Sequence, residues 1–130
     1  MIEVFKEFKF EAAHKLPNVP EGHKCARLHG HSFVVQVYVT GVMSEEKGWI
    51  VDFADIKKCW KAIEPLLDHN YLNDVEGLEN PTSEVIARWI WRKLSQPIRM
   101  IDPTNAARSK LTKIVVKETC SSGAVFTGAS

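Results

Sequence analysis

Hydrophobic and polar positions alternate at the start of the chain. Ile2, Val4, Phe8 and Phe10 fall on one face and Glu3, Glu7 and Lys9 on the other, with Phe5 and Lys6 out of phase. A period of two marks a half-buried strand. Glu11-Ala12-Ala13-His14 continues it with small residues that let the backbone approach a neighbour closely. Residues 15–24 hold Pro17, Pro20 and Gly22 and read as a loop, with His23 a solvated residue rather than a ligand. From about His31 to Thr40 the chain is rich in β-branched and aromatic residues, which predicts a second strand. Gly41 to Gly48 reads as a turn, and Trp49-Ile50-Val51 as an extension or restart of the sheet.

At Asp52 the period changes. Phe53, Ile56, Trp60, Ile63 and Leu67 recur at helical spacing, with Asp52 as the N-cap. Cys59 neighbours this stripe and reads as a small core residue. Asn80-Pro81-Thr82-Ser83-Glu84 is a helix start, and Val85, Ile86, Trp89, Ile90 and Leu94 form the stripe of a second helix that Pro97 ends. Residues 97–110 read as a loop with a polar centre at Asp102 to Asn105. Leu111 to Thr119 is a third strand and Ala124 to Thr127 a short fourth.

This order of strands flanking a helical pair predicts an α+β fold, not alternating βαβ units. The expected architecture is a four-stranded antiparallel sheet with two helices on one face (ββααββ), in a single domain over residues 1–130. The other sheet face would carry Phe5, Val34, Tyr38 and Val115, too apolar for plain exposure, so a second subunit is expected there.

Composition narrows the class. A length of 130 residues suits one domain with its own core. A formal net charge of +1 gives neither a nucleic-acid footprint nor a polybasic membrane surface. No apolar run approaches the ~18 residues of a membrane span, and Met1 to Glu7 lack the pattern of a signal peptide. Three cysteines, Cys25, Cys59 and Cys120, show no disulfide spacing, which fits reduced thiols and a cytoplasmic location.

The chemistry gathers in Cys25-Ala26-Arg27-Leu28-His29-Gly30-His31. On a strand, His29 and His31 share a face and offer two imidazoles to one point. Zinc suits such donors, and a catalytic zinc takes three protein ligands and leaves one position open. His14, at the inner end of the first strand, is the third candidate. Cys25 stands as a fourth ligand, a nucleophile or a proton acceptor, and spacing does not decide among these. Glu118 lies in phase with Ile114 and Val116, so it is either an acid in a partly dry place, needing a donor, or a solvated strand end. Asp68-His69 reads as a proton-transfer pair or a helix C-terminal cap. Adjacent residues do not normally point together, so each is expected to act with partners elsewhere.

Five motifs in order, Phe8-x-Phe10-Glu11-Ala12-Ala13-His14, Cys25-x-x-x-His29-Gly30-His31, Leu67-Asp68-His69, Asn80-Pro81-Thr82-Ser83-Glu84 and Lys117-Glu118-Thr119, resemble the 6-pyruvoyl-tetrahydropterin synthase superfamily. Three residues separate Cys25 from His29, as in its carboxy branch, the 6-carboxy-tetrahydropterin synthases of queuosine (7-deazapurine) biosynthesis. The pyruvoyl enzymes carry a longer spacer there. The resemblance implies a tunnelling fold and a homohexamer built as a dimer of trimers. It implies zinc on His14, His29 and His31. It implies Cys25 as proton acceptor, assisted by Asp68 and His69 of a neighbouring subunit, and Glu118 as the acid that anchors a pterin. Thr119 and Thr82-Ser83-Glu84 would face the same pocket, and Lys24 and Arg27 are candidates for a triphosphate on charge alone. The implied reaction takes 7,8-dihydroneopterin triphosphate to 6-carboxy-tetrahydropterin, releasing acetaldehyde and triphosphate with no external redox cofactor. A 6-pyruvoyl-tetrahydropterin synthase is the alternative within the class, and a metal-storage protein or a zinc hydrolase the alternatives outside it. The hydrolase lacks its His-Glu-x-x-His pattern.

Overall fold

The computed structural model describes residues 1–102 and 109–128. Its elements in chain order are β1 (Glu3–His14), β2 (His29–Thr40), α1 (Phe53–Leu67), β3 (Asn70–Tyr71), α2 (Ser83–Arg99), β4 (Lys110–Thr119) and β5 (Ser122–Phe126). Single 3-10 turns at Lys24–Ala26 and Leu72–Asp74 interrupt the loops. The α+β class and the strand–helix–helix–strand order agree with the sequence.

β1 and β2 pair antiparallel along their full length, with Phe10 opposite Phe33, Ala12 opposite His31 and His14 opposite His29. This register puts Phe8, Phe10, Ala12, Phe33, Val35, Val37 and Val39 on the face that carries the histidines. Phe8, Phe10, Phe33, Val35, Val37, Ile114 and Val116 are buried there. α1 closes over them with Ile56, Trp60, Ile63 and Leu67, and α2 with Ile86, Trp89, Ile90, Leu94 and Ile98. Phe8 stacks on Trp60 and Phe10 on Phe33, each with ring centroids 4.9 Å apart. Burial of one such Phe, Leu or Ile contributes roughly 1.5–3 kcal/mol. The core is therefore ample to hold the site at its end. Asp52 caps α1 as expected, its side chain accepting from the Ala54 N–H at 2.9 Å.

The structure corrects several boundaries. The sheet has five strands, in the order β3-β1-β2-β4-β5, not four. The added strand is the two-residue β3, parallel to Ala12 and Ala13. It forms because the chain leaving α1 runs along the free edge of β1, where the His69 N–H donates to the Glu11 carbonyl at 2.6 Å. Trp49 to Val51 does not join the sheet, because the backbone there is satisfied inside a turn, with the Ser44 N–H donating to the Trp49 carbonyl. α2 runs through Pro97 to Arg99. A proline so near a helix end forfeits one hydrogen bond, and the buried Ile98 retains that last turn against the core. The last strand begins at Ser122, where a Cβ on Gly123 would strike the Val116 carbonyl. Of the expected polar loop, Pro103, Thr104 and Asn105 lie outside the described residues.

The opposite sheet face carries Phe5, half exposed and stacked on Tyr38, together with Val34, Val115 and the exposed Val125. It is as apolar as the sequence indicated.

Candidate metal centre and active site

Three strand ends converge at the end of the core. β1 delivers His14, the first and third residues of β2 are His29 and His31, and β4 delivers Glu118. The ligand atoms of these four residues all lie within 4.8 Å of one another. The imidazole centroids stand 4.6, 5.2 and 4.8 Å apart, each pair edge to face.

Hydrogen bonds aim two of the rings. His14 Nδ1 donates to the Pro81 carbonyl at 2.8 Å, and His29 Nδ1 to the Arg27 carbonyl at 2.7 Å. A carbonyl only accepts, so Nδ1 is the donor in both rings, and in the neutral ring Nε2 is left to present a lone pair. This carbonyl-backed imidazole is the arrangement that orients metal-ligating histidines. Glu118 Oε1 lies 3.1 Å from His14 Nε2 and 3.0 Å from His31 Nε2. Burial holds the His14 pKa below its ordinary value; the Pro81 hydrogen bond and the Glu118 charge oppose this, and His29 and His31 add to it. A neutral His14 makes no ion pair with Glu118. Two acceptors face each other instead, and His14 Nε2 is buried with no hydrogen-bond partner. A cation between them satisfies both, so the donor set fits a metal ion. Three imidazoles with or without a carboxylate suit zinc chemistry.

Beside this cluster lies a cleft of about 440 Å³ lined by Lys24, Cys25, His29, His31, Glu118, Thr119 and Ser122. Cys25 sits half-buried in the 3-10 turn. Its N–H donates to His23 Nδ1 at 3.0 Å, and its carbonyl accepts from the Leu16 N–H at 2.7 Å. Of the other thiols, Cys120 is exposed and Cys59 packs against the core. Burial raises the Cys59 thiol above its ordinary 9.0, with Asp55 adding to the shift.

The sequence candidates divide. His14, His29, His31, Cys25, Lys24, Glu118 and Thr119 come together. Ser83 is buried at the head of α2 and its hydroxyl donates to Glu118 Oε2 at 3.3 Å. Thr82 is engaged as the α2 N-cap, accepting from the Val85 N–H at 3.1 Å. Glu84 is exposed on the first turn of α2 and does not line the cleft. Arg27 is exposed and enters the site through its carbonyl alone among the described contacts.

Asp68 and His69 lie elsewhere. His69 lines a second cleft, of about 520 Å³, with Glu11, Ala13, Gly30 and Ser32 of the opposite sheet face and with His31, which also lines the first cleft. Asp68 caps α1, and its Oδ1 accepts from the Glu11 N–H at 2.9 Å. The expectation that these neighbours point apart is overturned. His69 adopts φ 58, and this left-handed turn brings its Nε2 to 3.4 Å from Asp68 Oδ2. A histidine held there stores backbone strain, a feature that gathers at functional sites.

The family model for 6-pyruvoyl tetrahydropterin synthase matches residues 3–129. The chain belongs to the 6-pyruvoyl tetrahydropterin synthase family. It is 46% identical to the 6-carboxy-5,6,7,8-tetrahydropterin synthase of Synechocystis sp., across 95% of this chain and 91% of that one. A relative of the same name from Bacillus subtilis is 28% identical across 95% of this chain and 84% of its own length. The 6-pyruvoyl tetrahydropterin synthase structure from Caenorhabditis elegans superposes with a TM-score of 0.83 at 26% identity, covering 98% of this chain and 96% of that one. The motif resemblance is thus borne out, as is the reading of the chain as an enzyme of the lyase class, on relatives named for the carboxy branch. No helix among the described residues is long and apolar enough to cross a membrane.

Within this family member the sequence missed three parts of the site. His23 does stay outside the histidine cluster, yet it is more than a solvated side chain because it holds the Cys25 N–H. Its position two residues before the thiol was the available signal. The Pro81 carbonyl, which aims His14, is a backbone group and leaves no mark in a residue pattern. Asn73 reads as one polar residue among several after α1, and two of its three hydrogen bonds reach Lys15, 58 residues away.

Proposed function

We propose that this chain is a 6-carboxy-tetrahydropterin synthase, a zinc-dependent lyase. It converts 7,8-dihydroneopterin triphosphate to 6-carboxy-5,6,7,8-tetrahydropterin with release of acetaldehyde and triphosphate, in queuosine (7-deazapurine) biosynthesis in the cytoplasm. The observation that carries the reading is the convergence of His14, His29 and His31 on one point beside Cys25. The 46% identity to a relative of that name supports the choice of branch.

His14, His29 and His31 would hold the zinc, which supplies Lewis-acid polarisation of a side-chain hydroxyl or carbonyl oxygen when bound. Cys25, pinned through both of its backbone groups, takes a proton from the substrate side chain. Glu118 offers a carboxylate steadied by Ser83 and matches the adjacent donors of a pterin's amino and ring N–H groups. Thr119 lines the same pocket, and Lys24 lends positive charge for the triphosphate, with the exposed Arg27 a further candidate on charge alone.

Asp68 and His69 serve the neighbouring subunit's site. His69, with Asp68 beside it, lines a cleft that Cys25 does not line, which supports pairing of the thiol with the Asp68 and His69 of another chain. The apolar face of Phe5, Val34, Tyr38 and Val115 supports assembly into a homohexamer, a dimer of trimers.

Product analysis tests the reading. Zinc-loaded protein incubated with 7,8-dihydroneopterin triphosphate is expected to yield acetaldehyde and a 6-carboxy pterin by mass spectrometry, and Cys25→Ala to abolish both with zinc retained. Triphosphate release with the three-carbon side chain intact would instead establish a 6-pyruvoyl-tetrahydropterin synthase. No change in the pterin would leave a metal-binding protein.

A further inference from the structure

Asn73 belongs to no motif and lines neither cleft, yet its one amide side chain makes three hydrogen bonds to the backbone of two other segments. Its Oδ1 accepts from the Lys15 N–H at 3.0 Å. Its Nδ2 donates to the Lys15 carbonyl at 2.8 Å and to the Glu79 carbonyl at 3.3 Å. The two ends of the amide are assigned by these partners, since a backbone N–H only donates and a carbonyl only accepts.

The place of these contacts matters. The β1–β2 ladder ends at the His14–His29 pair, so Lys15 has no strand opposite it. The groups at Lys15 are exposed, so water could satisfy them, and what the amide adds is a fixed geometry. Asn73 stands in for the missing strand and binds both groups of Lys15, as a ladder residue would. The next residue, Leu16, donates to the Cys25 carbonyl. Glu79, the third partner, lies two residues before Pro81, whose carbonyl aims His14. A single amide thus joins the segment that bears His14, the turn that bears Cys25 and the segment that orients the His14 ring.

We propose that Asn73 is a positioning residue, which keeps the Cys25 turn and the Pro81 carbonyl in register with His14. The inference rests on the reading of Cys25 and the histidines given above. Only an amide joins all three groups: an aspartate of the same shape would set a carboxylate against two carbonyls, and alanine would leave them to water and untie the segments.

The test compares wild type with Asn73→Ala and Asn73→Asp. Zinc affinity is measured by chelator competition, and iodoacetamide labelling of each cysteine in the metal-free protein by peptide mass mapping. Thermal melting and steady-state kinetics complete the set. A zinc affinity lower by about 10–100-fold is expected, the range for residues that orient metal ligands. Cys25 should label several-fold faster while Cys120 labels at the wild-type rate, and kcat should fall with KM held. Lowered melting temperature with zinc affinity and Cys25 labelling within about twofold of wild type would overturn the proposal, since that is scaffolding alone. If Asn73→Ala does not fold, Asn73→Asp decides on the same measures. A wild type that turns over no pterin would sink the proposed function, while the zinc and labelling comparison would still decide the role of Asn73.

Discussion

His14 Nε2 and Glu118 Oε1 stand 3.1 Å apart, lone pair to lone pair. The Nδ1 proton is committed to Pro81, and burial keeps a second proton off the ring. Such a contact is repulsive until a cation or a proton enters it.

Zinc should therefore stabilise the fold. Binding to the native state alone adds about 2.7 kcal/mol at a free concentration one hundred times Kd. The expected outcome is one zinc per chain by elemental analysis and a lower melting temperature after chelation. His14→Ala and His31→Ala should lose both the metal and the chelator response.

Acid should weaken the metal-free protein through His14. Its folded pKa lies below the ordinary 6.5, so the unfolded chain protonates first as pH falls. The unfolded state then binds more protons, and stability declines on acidification below about 6.5, with no contribution from this group above it. Urea midpoints measured from about pH 5 to 8 should show this decline in wild type and a shallower one in His14→Gln.

Glu118 tests the division of labour within the cluster. As a pterin anchor, Glu118→Gln should raise KM strongly and leave zinc bound, because three imidazoles remain. Loss of zinc in this variant would make Glu118 a ligand instead. The two outcomes separate in one metal analysis beside one kinetic series.

Asp68 and His69 predict complementation between chains. Cys25→Ala and His69→Ala should each be inactive alone, since losing a proton-transfer group costs about 10²–10⁴-fold. Subunits of the two variants, unfolded and reassembled together, should regain activity, because some mixed sites combine an intact thiol with an intact pair. No recovery would mean that the pair does not work across an interface.

Most of the site's donors were legible in the sequence, and most of their supports were not. His14, His29 and His31 announce themselves because a strand's period of two fixes the face each side chain takes, whereas for Glu118 the period left a buried acid and a solvated strand end equally open. Trp60 and Ile90 follow from a helix's period in the same way. β3 left no pattern, since two residues carry no periodicity. The meeting of Asp68 with His69 depends on one backbone angle, and a histidine does not declare φ 58 in advance. Pro97 signalled a helix end, and the burial of Ile98 carried the helix past it. Tertiary contact decided each of these, at ranges a local reading does not reach.

The pairing of His14 with His29 has a bearing on how the chain folds. A slip of one residue between β1 and β2 would turn His14 to the far side of the sheet and scatter the donors. The metal would then find no site. Only one alignment of these two long strands gathers the donors, so a metal ion held by them would also reward the correct alignment of the sheet.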